Sequence, residues 1–177
     1  MTDTILVPFE LPDHRALSPV LVNDLASLDV VVLGHFAVPE QTPVEAAREQ
    51  FEAEAQTTLD EIADQFRDVG ATARTRLVFG KQRAATIDRV MIEEDCTAEL
   101  NPAPTDGIDR ILVPIPAADN FDRLPRFVDI LCEDSTREIT LFHVAEGEES
   151  RDHAEEIVTE TREEMLEAGF DSSGRQL

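Results

Sequence analysis

Few stretches of this sequence gather side chains that do chemistry. The densest is Glu10, Asp13 and His14, in the segment FELPDH. Carboxylates and an imidazole in one loop are the donors that ligate a divalent cation. In so acidic a chain they also fall together without a metal, and no metal site is expected from them. His35 and His143 each stand near the end of an apolar run. Each reads as a structural hydrogen-bonding residue rather than a base or a ligand. Lys81 is the single lysine and follows Gly80. A cation after a glycine can meet an anion, but a solvated turn is the plainer reading. Cys96 and Cys132 lie far apart and without metal-ligand spacing, as small core residues do. His153 and Glu156, at i and i+3 of a helix, read as surface. No nucleophile elbow, phosphate-binding Walker loop or H-E-x-x-H pair occurs. No catalytic residue and no enzymatic activity are expected.

The elements that must position these residues come as a repeat. Residues 5–8 read ILVP, and residues 111–114 read ILVP again. Each copy is followed by P-x-x-V-x-x-L, with Pro19, Val22 and Leu25 in the first and Pro125, Val128 and Leu131 in the second. A second apolar run then follows, VVVLGHF in one and ITLFHV in the other, so that His35 and His143 take equivalent places. The repeat is domain-sized rather than a solenoid module. The first unit is expected over 1–104, a linker over 105–109, and a second, incomplete β-α-β-α unit over 110–177. Each ILVP has the apolar character of a strand buried on both faces, and its proline is expected to end it.

Taken in order, strands are expected at Thr4 to Val7 (reaching Phe9 at most), Asp29 to Phe36, Ala71 to Phe79 and Cys96 to Leu100. Helices are expected at Ala16 to Ala26, from Thr42 to Gly70, and at Arg83 to Glu93. Thr42, Pro43 and Glu45 write a capping box, and Gly70 a C-terminal cap. Ala47, Phe51, Ala55, Leu59, Ile62, Phe66 and Val69 recur at helical spacing. In the third helix Ala84, Ile87, Val90 and Met91 are expected inward. The third strand alternates, which predicts a sheet edge. The second unit is expected to hold strands at Arg110 to Ile115 and Glu138 to Val144, with helices at Asn120 to Glu133 and Ser150 to Ala168. Alternating strands and helices imply an α/β fold with a mostly parallel sheet. Ligands of such sheets bind beyond the carboxyl ends of the strands, at the topological switch point. That places a candidate crevice at Phe9, Glu10, Asp13, Asn101 and Thr105, with Gly80 and Lys81 as a third wall.

Composition narrows the function. The 177 residues carry 38 acidic against 15 basic side chains, a net charge of −23. Such a surface repels itself in dilute buffer and is relieved where salt screens it. With one lysine among the basic residues, the chain reads as adapted to a salt-rich cytosol. Phosphate backbones would be repelled, so nucleic-acid binding is not expected. The segment MTDTILV shows no signal-peptide pattern, and no apolar run reaches membrane-spanning length. A cytoplasmic setting without membrane insertion is expected.

The order of elements resembles the universal stress protein family. Gly80-Lys81-Gln82 occupies that family's turn after the third strand. Ala85-Thr86-Ile87 through Glu93-Glu94-Asp95-Cys96 occupies its following helix and strand start. The resemblance implies a three-layer, Rossmann-like α/β/α sandwich with strand order 3-2-1-4 in the first unit. ATP-binding members carry an aspartate after strand one and G-x2-G-x9-G-[ST] after strand four. Here those places hold Pro8-Phe9-Glu10 and Asn101-Pro102-Ala103-Pro104, and proline offers a phosphate no N–H. The resemblance therefore implies a tandem member of the kind that binds no ATP: a regulatory or protein-interaction module, without cofactor. An adenine-nucleotide binder (ATP or AMP) with a diverged phosphate loop is the alternative. The family's units also partner membrane transporters. A homodimer, or a pseudo-dimer within the chain, is expected.

Overall fold

A computed structural model describes residues 3–14, 16–102, 109–115, 128, 138–144 and 151–167. The chain divides into two units, 1–106 and 107–177. The first holds β1 (Thr4–Leu11), α1 (Pro19–Asp24), β2 (Asp29–Ala37), α2 (Val44–Asp68), β3 (Thr72–Gly80), α3 (Arg83–Glu93) and β4 (Ala98–Glu99). The second holds β5 (Arg110–Pro114), β6 (Glu138–Phe142) and α4 (Arg151–Glu167). The expected helix at Asn120 to Glu133 lies outside the described residues, Val128 excepted, and so do Thr105 and nearly all of the linker.

In the first unit every strand pair is parallel and the order is β3-β2-β1-β4. β2 is buried from Val30 to Phe36, as a central strand covered on both faces must be. One face packs on α2, where Leu11, Phe36 and Phe79 meet Ala47, Ala55 and Phe51. The other packs on α3, where Leu6, Val31 and Leu33 meet Ile87 and Val90. The first unit is thus a three-layer α/β/α sandwich with a parallel, Rossmann-like sheet. Gly34 lets α2 approach β2: a Cβ there would lie 2.8 Å from Leu11 Cδ1 and 3.1 Å from Leu59 Cδ1.

β1 does not stop at Pro8 but continues to Leu11, paired with β2 throughout. The bonding pattern explains how proline is tolerated. The Thr4 and Leu6 carbonyls accept from Thr97 N–H and Leu100 N–H of the β4 segment, both at 2.8 Å. Alternation along a parallel strand aims Pro8 to that same side, two residues beyond Leu6 and past the end of β4. No ladder bond is lost there.

Helix ends differ from expectation in instructive ways. α1 is shorter than expected, starting at Pro19 with Ser18 as its N-cap. The capping box is not formed. Pro43, extended at φ −62° and ψ 133°, is the N-cap of α2, and its carbonyl accepts from Ala47 N–H. Gly70 does cap α2, at φ 100°, with Gly70 N–H on the Arg67 carbonyl and Ala71 N–H on that of Phe66. This is the double bond of a Schellman motif. Asp95 repeats the motif at the end of α3, at φ 51°, with Cys96 N–H on the Met91 carbonyl. That turn uses up the residues expected to open strand four, so β4 keeps only Ala98 and Glu99. On α3 the buried side chains are Thr86, Ile87 and Val90, while Ala84 is exposed.

In the second unit β5 and β6 pair in parallel, with Ile111 opposite Ile139 and Pro114 opposite Phe142. Ile111, Val113, Ile139 and Leu141 pack with Val128 and Met165 of α4. The register overturns the equivalence of the two histidines. Pro8 lies opposite Leu33, so Phe142 takes the place of Leu33, His143 that of Gly34, and Val144 that of His35. A slip of one residue turns a side chain to the other face.

Candidate functional site

Beyond the carboxyl ends of β1 and β4 opens a crevice of about 280 Å3. Pro8, Phe9, Glu10, Asp13, His14 and Ala16 line it from the β1 side, Asn101 and Pro102 from the β4 side, and Arg83 from the first turn of α3. The topology dictates the place. α2 crosses from β2 to β3 on one face, α3 from β3 to β4 on the other, and the order in which strands are added to the sheet reverses between β1 and β4. Four of the seven residues expected from the sequence meet here: Phe9, Glu10, Asp13 and Asn101. Gly80 and Lys81 do not line the crevice. Lys81 Nζ donates to the Glu40 carbonyl at 2.6 Å, and Gly80 faces His35. Thr105 lies outside the described residues.

The sequence reading missed Arg83, which opens α3 two residues after Lys81. Its place was legible: the first helical residue after the turn that follows β3 faces the switch point. Its Nη2 donates to the Pro8 carbonyl at 3.4 Å, a long bond, and its buried Nε has no partner. The Pro8 carbonyl is thus turned toward the crevice, where β4 no longer reaches it. Phe9 is buried and meets the His14 ring edge-on at 6.5 Å. Glu10, Asp13, His14 and Asn101 are exposed on the rim. Leu100 N–H on the Leu6 carbonyl fixes where Asn101 and Pro102 leave the sheet.

Beneath this site stands His35, 2% exposed, between β1 and β3 and opposite Glu10 and Val78. A Cβ on Gly80 would come within 3.5 Å of His35 Nε2 and 3.7 Å of Thr86 Oγ1. Contrary to expectation neither ring nitrogen has a hydrogen-bond partner. Burial, then the Arg83 guanidinium, holds its imidazole below the ordinary histidine pKa, and Glu10 opposes them. His35 is therefore neutral at pH 7. His143 does make the expected structural bond: its Nδ1 donates to the Ile115 carbonyl at 2.7 Å. Cys96 is half-buried beside Met91, and burial pushes its thiol up. Cys132 lies outside the described residues. His153 and Glu156 form an exposed pair at 3.6 Å on α4.

Among the described residues no group of three or more His, Cys, Asp or Glu side chains is placed to hold a metal ion. Among them, too, no helix is long and apolar enough to cross a membrane. Among the described residues the site offers one guanidinium, two carboxylates, an imidazole and an amide around a polar opening. Among them it does not place a nucleophile against a base.

No protein-family model and no curated protein matches the chain. Among solved structures it is similar to the crystal structure of a hypothetical protein, PH0823, with 18% sequence identity. The match covers 84% of this chain and 100% of that one, at a TM-score of 0.43.

Proposed function

We propose that the protein is a regulatory, protein-binding module of the universal stress protein type, working without catalysis in a salt-rich cytosol. One observation carries this reading. Leu6 is fully buried under α3, while its counterpart Leu112, on the same face of the repeated strand, is 63% exposed. Val144, in the place of the buried His35, is 69% exposed. Among the described residues nothing stands on this face as α3 stands in the first unit. An apolar sheet face of this kind is a place for a protein partner. A second copy of the chain is the partner proposed, forming a homodimer through the second unit. Light scattering in molar KCl is expected to give a dimer, and Leu112→Glu a monomer. A wild-type monomer at all concentrations would overturn the proposal.

The alternative, an adenine-nucleotide binder, is favoured by the position of the crevice at the switch point with Arg83 at a helix start. The chemistry of its walls argues the other way. Pro8 and Pro102 bring no N–H to a phosphate, and Glu10 and Asp13 repel one. Titration with ATP, ADP and AMP in molar KCl separates the two, and micromolar binding would establish the alternative. Without Trp or Tyr the chain has almost no absorbance near 280 nm, so copurified nucleotide would also show in the spectrum.

A further inference from the structure

The crevice holds both signs of charge, and among the described residues they are not spent on each other. Arg67, Arg74, Arg76, Arg89 and Arg110 each sit within 4 Å of a carboxylate. Arg83 does not, nor does Arg48, which lies over the Phe79 ring; yet the chain has 38 acidic residues to offer, and Glu10 and Asp13 line the same crevice as Arg83. Its guanidinium is half-buried and held by a single long bond to the Pro8 carbonyl. Glu10 and Asp13 form no ion pair with any described residue. A half-buried guanidinium without a carboxylate is the group that recognises one in a ligand, often by a two-pronged bond. The start of α3, which has no side-chain cap, adds to that attraction.

We propose that the crevice binds a small zwitterion, a free neutral α-amino acid. Its carboxylate rests on Arg83, and its ammonium faces Glu10 and Asp13. Among the described residues a simple anion would meet two carboxylates against one guanidinium, and a simple cation would leave Arg83 unanswered. A zwitterion satisfies both. The volume of about 280 Å3 holds an amino acid of ordinary size, and Ala16, Pro102 and Phe9 supply apolar wall for a neutral side chain. The site would make the module a sensor of a small metabolite. The inference rests on the reading that no polyphosphate occupies this crevice.

The test is calorimetric titration of the full chain in molar KCl with free L-alanine, L-valine and L-glutamine. Each binding amino acid is then replaced by its α-amide and by its N-acetyl derivative. Binding of at least one amino acid is expected, weakened about tenfold or more when either charge is removed. Arg83→Gln is expected to abolish binding, and Glu10→Gln with Asp13→Asn to weaken it, with circular dichroism unchanged. Absence of heat for all three amino acids at millimolar concentration would overturn the inference while leaving the protein-binding function standing. So would amide and N-acetyl forms that bind as tightly as the free amino acid, which would mean recognition of the side chain alone. Tight binding of ATP in place of the amino acids would overturn both.

Discussion

His35 shows how a single residue links the site to stability. It is enclosed, unpartnered and neutral, facing Arg83 from α3 and Glu10 from β1. Its folded pKa lies below its unfolded one. As pH falls through about 6.5 the unfolded chain takes up the proton and the folded chain refuses it. Stability contributed by neutral His35 is therefore complete above that pH and is lost as pH falls toward the lowered folded value. By denaturant midpoints between about pH 7.5 and about pH 5.5, the wild type is expected to lose stability relative to His35→Leu as pH falls. Parallel curves would show that His35 does not titrate in this way. Gly34, its neighbour, makes a simpler case. Gly34→Ala would press a methyl on Leu11 and Leu59, both enclosed, and is expected to cost about 1–3 kcal/mol in chemical denaturation. The sequence told little of either. A glycine in an apolar run announces close packing without its partner. The two histidines looked equivalent because an inserted loop hides a one-residue change of register.

Whole elements were more legible than their ends. The apolar stripe of α2, the edge position of β3 and the span of α3 follow from periodicity alone. The end of β1 did not, because a proline in a strand is read as a stop unless the neighbour's length is known. β4 is two residues long, and that is what frees Pro8 to sit in β1 and opens the crevice. The C-terminal turns of α2 and α3 are built alike, but only the first announces itself with glycine. At φ 100° Gly70 adopts a conformation that any other residue reaches with strain, so Gly70→Ala is expected to destabilise by about 1–2 kcal/mol. Asp95 carries the same duty at φ 51° with a side chain, and Asp95→Gly is expected to stabilise by up to about 1 kcal/mol. Thermal unfolding followed by circular dichroism decides both signs. The ion pairs of Arg74 and Arg76 with Glu93 and Glu94 bind the β3 edge to the end of α3. All are partly exposed, and each contributes about 0–1 kcal/mol.

For the whole molecule charge is the property that overrides these local terms. With 38 acidic and 15 basic residues, mean repulsion opposes the folded state, which holds the charges closer together than the unfolded one does. Salt acts on two opposed contributions. It weakens the exposed ion pairs, and it relieves the repulsion. The pairs are few and small, whereas the excess of carboxylates extends along α2 at Glu45, Glu49, Glu52, Glu54 and Glu61. Relief must win. The screening length shrinks from about 10 Å at 0.1 M salt to about 3 Å at 1 M, less than the spacing of successive turns of a helix. The melting temperature is therefore expected to rise steadily as KCl goes from tenths of molar to molar, equally with NaCl. Replacing Glu49, Glu52 and Glu54 with lysine is expected to raise it at low salt and to leave it nearly unchanged at high salt, because only the repulsion is removed. A wild type equally stable in dilute and concentrated KCl would mean that the acidic surface serves something other than salt.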